Sequence, residues 1–146
     1  MSEAELPGWL VSGDERPAVI SRIWATVDLD RAVADSGLPA ETLPDDPHLN
    51  AIVRLVRPPG DAPIALVEPR TEGRLAETLA GRGEGLIGLY VAAPAALDVV
   101  AARAQNAGAR LGRIAAGPFG RSALVGGDAR GPQIVIVEDR AGTIAR

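Results

Sequence analysis

Few side chains in this sequence can carry out chemistry, and their types narrow the options quickly. There is no cysteine, which removes thiolate nucleophiles, disulfides and sulfur-ligated metals. All 15 basic residues are arginine, so no lysine is available for Schiff-base chemistry. His48 is the one histidine and the one side chain whose ordinary pKa lies near neutrality. Its setting, Asp45-Asp-Pro-His48, reads as a solvated loop. Ser122 has no histidine-based triad pattern around it. Gly83-Glu-Gly85 is too short for a phosphate loop, and no Walker or dinucleotide fingerprint is present. What remains is Arg22, able to hold an anionic oxygen, Tyr90, able to donate a hydrogen bond or a proton, and the amide of Gln133.

The chain that must position these groups has 146 residues, the size of one domain. With 47% hydrophobic residues it can bury a core. The net charge is -4 and there is no basic tract, so nucleic acid is not an expected partner. The N-terminus carries Glu3, Glu5, Asp14 and Glu15 and does not read as a signal peptide. No apolar run reaches the roughly 20 residues that span a bilayer. No membrane association is expected, and the expected compartment is cytoplasmic.

The pattern predicts a polar leader over 1–17, interrupted by Trp9, Leu10 and Val11, which can dock on the body or on a partner. A first strand spans 18–27, and a short helix capped by Asp28 or Asp30 runs to Gly37. Residues 38–48, with Pro39, Pro44 and Pro47, read as turns. Strands follow at 49–57 and 63–68. A linking helix covers about 71–81, with Leu75 and Leu79 as i,i+4 partners. Then come a strand at 86–92, a helix from Pro94 to Gly108, and strands at 109–115, 121–126 and 133–138. The order is a βαβββ unit written twice. Ile64-Ala-Leu-Val-Glu68 mirrors Ile134-Val-Ile-Val-Glu138, and Arg22 to Val27 can be laid on Gly88 to Ala93. The predicted fold class is α+β, with one domain over 18–139, module one about 18–69, module two about 86–138, and a tail at 140–146.

Two paired βαβββ modules resemble the vicinal-oxygen-chelate superfamily, the glyoxalase and bleomycin-resistance group, whose mixed sheet curls into a cup. Ile64-Ala-Leu-Val-Glu-Pro69, the linking helix and Arg82-Gly-Glu-Gly85 together resemble the middle of methylmalonyl-CoA epimerases. The resemblance implies a divalent metal held by one side chain from each of four strands. Here those positions fall on Arg22, Ala65, Gly88 and Val135, none a normal ligand. Glu68 and Glu138 each lie three residues from a ligand position, on the opposite strand face. No metal and no cofactor is therefore expected.

If those positions face inward, alternation adds Trp24 and Thr26 from the first strand, Val67 beside Ala65, Tyr90 beside Gly88, and Gln133 and Val137 beside Val135. Arg22 then either clamps a carboxylate, phosphate or enolate oxygen, or is ion-paired, or points outward in the other register. Trp24 is either a stacking surface or a core or interface residue. Tyr90 is either a weak acid or a packed tyrosine. Gln133 either orients a carbonyl or lies at the surface. Phe119, between Gly117 and Gly120, either closes a lid or covers the core.

The resemblance thus points to a metal-independent protein binding a small, largely apolar organic molecule in its cup, as antibiotic-sequestering members of the superfamily do. The alternative is a metal-free isomerase, epimerase, lyase or cyclase acting on a keto-acid, acyl-thioester or polyketide-like substrate, with Arg22 stabilising an oxyanion. A third outcome is a partner-binding domain whose cup is filled by its own side chains. A homodimer is the expected assembly.

Overall fold

In the computed structural model a short 3-10 turn (Gly8–Leu10) precedes β1 (Val19–Ala25), α1 (Leu29–Ser36), β2 (Ala40–Asp46), β3 (Ala51–Val56) and β4 (Ile64–Pro69). After the linking helix α2 (Arg74–Arg82) come β5 (Gly85–Ala92), α3 (Leu97–Asn106), β6 (Ala115–Gly117), β7 (Gly120–Leu124) and β8 (Gln133–Val137). The structure describes residues 6–10, 17–127 and 131–138. The acidic residues of the leader, Val11 and the tail at 140–146 lie outside them.

All eight strands form one mixed sheet in the order β2-β3-β4-β1-β5-β8-β7-β6. Within each module the last strand returns parallel to the first, β4 beside β1 and β8 beside β5. The modules join through the antiparallel pair β1–β5. The sheet curls until its edge strands β2 and β6 touch. This is the α+β, two-module, curled mixed sheet that the pattern of elements predicted.

Central and edge strands follow their sequences. Gln133 to Val137 is buried at every position, as a strand covered on both faces must be. Strand β2 reads Ala-Glu-Thr-Leu-Pro-Asp-Asp and is mostly exposed. Its proline is tolerated because an edge strand has an unpaired side. That proline and the neighbouring turn residues make the segment read as turns in the sequence, where the structure has a strand. Residues 109–115 were expected to be a strand, but only Leu111 bridges across, to Val125, before β6 begins at Ala115.

The repeated motif has a defined mechanical role. At the end of β4, Glu68 accepts a hydrogen bond from the Leu29 N–H at the start of α1, at 2.7 Å. At the end of β8, Glu138 does the same for the Leu97 N–H at the start of α3, at 2.9 Å. Each carboxylate satisfies an orphan helix N–H and sits at the positive end of the helix dipole. Asp28 adds an N-cap to α1 through the Arg31 N–H, and Gly37 ends that helix in the left-handed conformation at φ 68°.

Three apolar layers result. The inner face packs Ile23, Ala25, Val53, Leu55, Ala65, Val67, Tyr90, Val135 and Val137 against Leu75 and Leu79, which α2 inserts into the open end of the curl. Outside module two, Leu89, Val91, Ile134 and Ile136 are covered by Leu97 and Val100 of α3 and by Leu6 and Leu10 of the N-terminal turn. Outside module one, Leu66 and Val56 meet Leu29 of α1, with Ile64 and Leu38 only partly covered.

Candidate functional site: a groove under the first helix

The inner face is a filled core. A continuous row crosses the sheet from Leu55 through Ala65, Ile23 and Gly88 to Gln133. Ala65, Val67, Gly88, Gln133 and Val135 face inward and are buried, as alternation predicted. Gln133 is occupied: its Oε1 accepts from Arg74 Nε at 2.5 Å and its Nε2 donates to the Gly131 carbonyl.

The first strand has the other register. Ser21, Ile23 and Ala25 point inward, while Arg22 and Trp24 lie on the outer face. Both frames of this strand mix polar and apolar residues, so alternation alone does not select one. Burial does, because an arginine inside an apolar curl has no counter-charge. On the outside Arg22 Nη2 reaches Asp61 Oδ2 at 3.0 Å. The cup-facing oxyanion role for Arg22 and the cup-facing placement of Trp24 and Thr26 are therefore corrected.

Tyr90 does face inward, but it is held. Its hydroxyl donates to Asp46 Oδ2 at 2.5 Å, and Asp46 Oδ1 accepts the backbone N–H groups of His48 and Leu49. Burial, then the Asp46 carboxylate, push the phenol well above its usual range. The phenol proton is thus already engaged by a buried carboxylate. Phe119 packs edge-on against it, with ring centroids 4.9 Å apart, and so covers the core. His48 is half-buried rather than solvated. Its Nε2 lies 3.1 Å from Ser122 Oγ, joining the β2–β3 turn to β7. Desolvation holds its imidazole below the ordinary pKa, partly opposed by Asp46.

A metal does not fit this interior. Of the four residues at one level across the central strands, Ala65, Ile23, Gly88 and Gln133, only Gln133 carries a ligating atom. A Cβ on Gly88 would lie 1.8 Å from the Gln133 carbonyl oxygen, so no side chain enters there. Among the described residues no three His, Cys, Asp or Glu side chains converge.

Open space lies instead on the outer face of module one, where a groove of about 630 Å³ runs between α1 and the sheet. Its floor is Trp24, Leu66, Ile64 and Val56, and the register puts Trp24 beside Leu66. Trp24 remains 38% exposed, an unusual state for a large aromatic on a central strand. Arg31, Ala32, Asp35 and Ser36 of α1 form the opposite wall, and Leu38 and Pro58 close one end. Glu84 and Thr26 close the other. Glu84 accepts from the Val27 N–H and the Thr26 hydroxyl, both at 2.8 Å, and pairs with Arg31. Those contacts, the Val27 N–H foremost, hold its carboxyl below the usual range.

Of the residues singled out from sequence, the structure brings Trp24 and Thr26 to this groove and leaves the others in the core or, for Arg22, beside it. Arg31, Asp35, Leu66 and Glu84 went unrecognised. The i,i+4 spacing of Arg31 and Asp35 on a helix capped by Asp28 was the available signal.

No protein-family profile and no curated protein matches the chain. Solved structures do. The methylmalonyl-CoA epimerase of Mycobacterium tuberculosis is 25% identical, covers 99% of both chains and superposes with a TM-score of 0.72. A Streptomyces coelicolor methylmalonyl-CoA epimerase variant in complex with 2-nitronate-propionyl-CoA is 21% identical over 86% of this chain and 96% of its own, with a TM-score of 0.68. A hypothetical protein from Bacillus halodurans C-125 is 18% identical over the same shares, with a TM-score of 0.67. The two-module topology, the curled eight-stranded sheet and these neighbours together establish that the chain has the vicinal-oxygen-chelate fold of the methylmalonyl-CoA epimerases.

Proposed function

We propose that this protein binds a small, largely apolar organic molecule without a metal, and that it does so in the groove under α1 rather than inside the curled sheet. One observation carries the reading: a groove of about 630 Å³ floored by the exposed Trp24 indole, in a fold whose interior is packed. The volume, and an apolar floor facing a helix wall that carries a few polar groups, suit a ligand site. The protein is proposed to be a cytoplasmic homodimer, and sedimentation velocity reads the assembly directly.

The test uses 1-naphthylmethanol, a neutral apolar probe, on a Trp9→Phe protein in which Trp24 is the remaining indole. Saturable quenching of Trp24 emission is expected. Replacing Leu66 with arginine fills the floor and should abolish it. Absence of saturable quenching with the wild-type groove would refute the reading.

A second reading has one supporting observation, the 25% identity to the Mycobacterium tuberculosis epimerase across 99% of both chains. It predicts solvent-deuterium exchange at the substrate α-carbon when the protein is mixed with methylmalonyl-CoA. No such exchange is expected, because Tyr90 is committed to Asp46 and the central row offers no free base.

A further inference from the structure

The charges of the groove are unequal. Arg31 is held by Glu84, which is also bound by Val27 and Thr26. Asp35, one helical turn beyond Arg31, also lines the groove, and among the described residues no hydrogen bond or ion pair reaches its carboxylate. It stands in the last turn of α1, which contains no basic residue. A negative side chain there faces the negative end of the helix dipole, and Arg31, one turn back, is already turned to Glu84. The nearby Arg22 is committed to Asp61 and does not line the groove. The groove therefore pairs an apolar floor and an exposed indole with one uncompensated negative charge.

We propose that the ligand is a monocationic apolar amine, its ammonium seated at Asp35 and its hydrocarbon body on Trp24. This deepens the groove reading above and rests on it. The indole supplies apolar area for the hydrocarbon body, and Asp35 supplies the charge preference. The same charges select against anions. A polyanionic thioester such as the one bound in the Streptomyces coelicolor enzyme requires free basic groups, and the arginine of this lining is already neutralised.

Three probes of one shape and different charge test the proposal in the Trp9→Phe protein: 1-naphthylmethylammonium, neutral 1-naphthylmethanol and anionic 1-naphthoate. The cation is expected to bind about 5-fold more tightly than the neutral probe, the size of one partly exposed charge pair. The naphthoate should bind weakest. Asp35→Asn, at an exposed position, should bring cation and neutral probe, both measured in that variant, to parity. Raising salt should erode the preference in wild type and leave Asp35→Asn unaffected. Neutral binding with no cation preference, or a preference that survives Asp35→Asn, overturns the proposal and leaves the groove reading standing. Failure of all three probes to quench Trp24 overturns both.

Discussion

The outer faces of the two modules start from the same plan and end differently. In each, a glutamate at the end of the last strand holds the first N–H of the module helix over the sheet. Over module two the N-terminal turn slides under that helix. Leu10 is fully buried there and Leu6 nearly so, and the face is closed. Over module one no segment among the described residues plays that part, α1 is shorter, and the indole of Trp24 is left at the surface. A duplicated unit thus closes one copy of a surface and leaves an exposed indole and a groove on the other.

The contrast breaks most visibly at Leu10. Leu10→Ala should cost about 3 kcal/mol in urea unfolding, a cavity in a closed face. A cost below 1 kcal/mol would mean that the turn does not seal module two. Next come the paired glutamates. Glu138, whose carboxylate is also bound twice by Arg121 and only 10% exposed, should lose about 2 kcal/mol on replacement by alanine. Glu68→Ala should lose about 1 kcal/mol, the size of a helix-terminus contact. Equal costs would show that the modules are braced alike after all.

Trp24→Ala sharpens the comparison from the other side. It should cost less than Leu10→Ala, at about 1 kcal/mol, because the indole is only partly covered. It should also weaken 1-naphthylmethanol binding more than tenfold, measured by isothermal titration. The smallest effect belongs to the seam where the modules close on each other. With the folded pKa of His48 below its unfolded value, the unfolded chain takes up a proton first. Stability is therefore full above about pH 6.5 and declines as pH falls from there toward the folded value. His48→Asn should flatten that decline in thermal melts between pH 7 and 5, and an unchanged slope would remove His48 as its source.

The fold was legible because order survives where residue identity does not. Two runs ending in Val-Glu, each set against a strand that leads into a helix, were enough to place the modules. Strand β2 was not legible, because an edge strand with one paired side can carry the proline and carboxylates that also make turns. The site was legible only in its residue types. Trp24 and Thr26 were recognised and then assigned to the wrong face, since strand β1 supports either register until the cost of burying Arg22 is counted. The groove itself is formed between a helix and a strand, and its carboxylates Asp35 and Glu84 lie 11 and 60 residues from Trp24 in the sequence and come together with it only in the fold.

Gly88 closes off a direction of change. Strands β5 and β8 approach so closely beside the irregularity at Ile87 that even an alanine methyl would overlap the Gln133 backbone. No side chain can be added at this point of β5 by substitution alone, because its first carbon would overlap the backbone of β8. Selection acting on this chain, or an engineer, would have to pull the two strands apart before a donor could stand at Gly88.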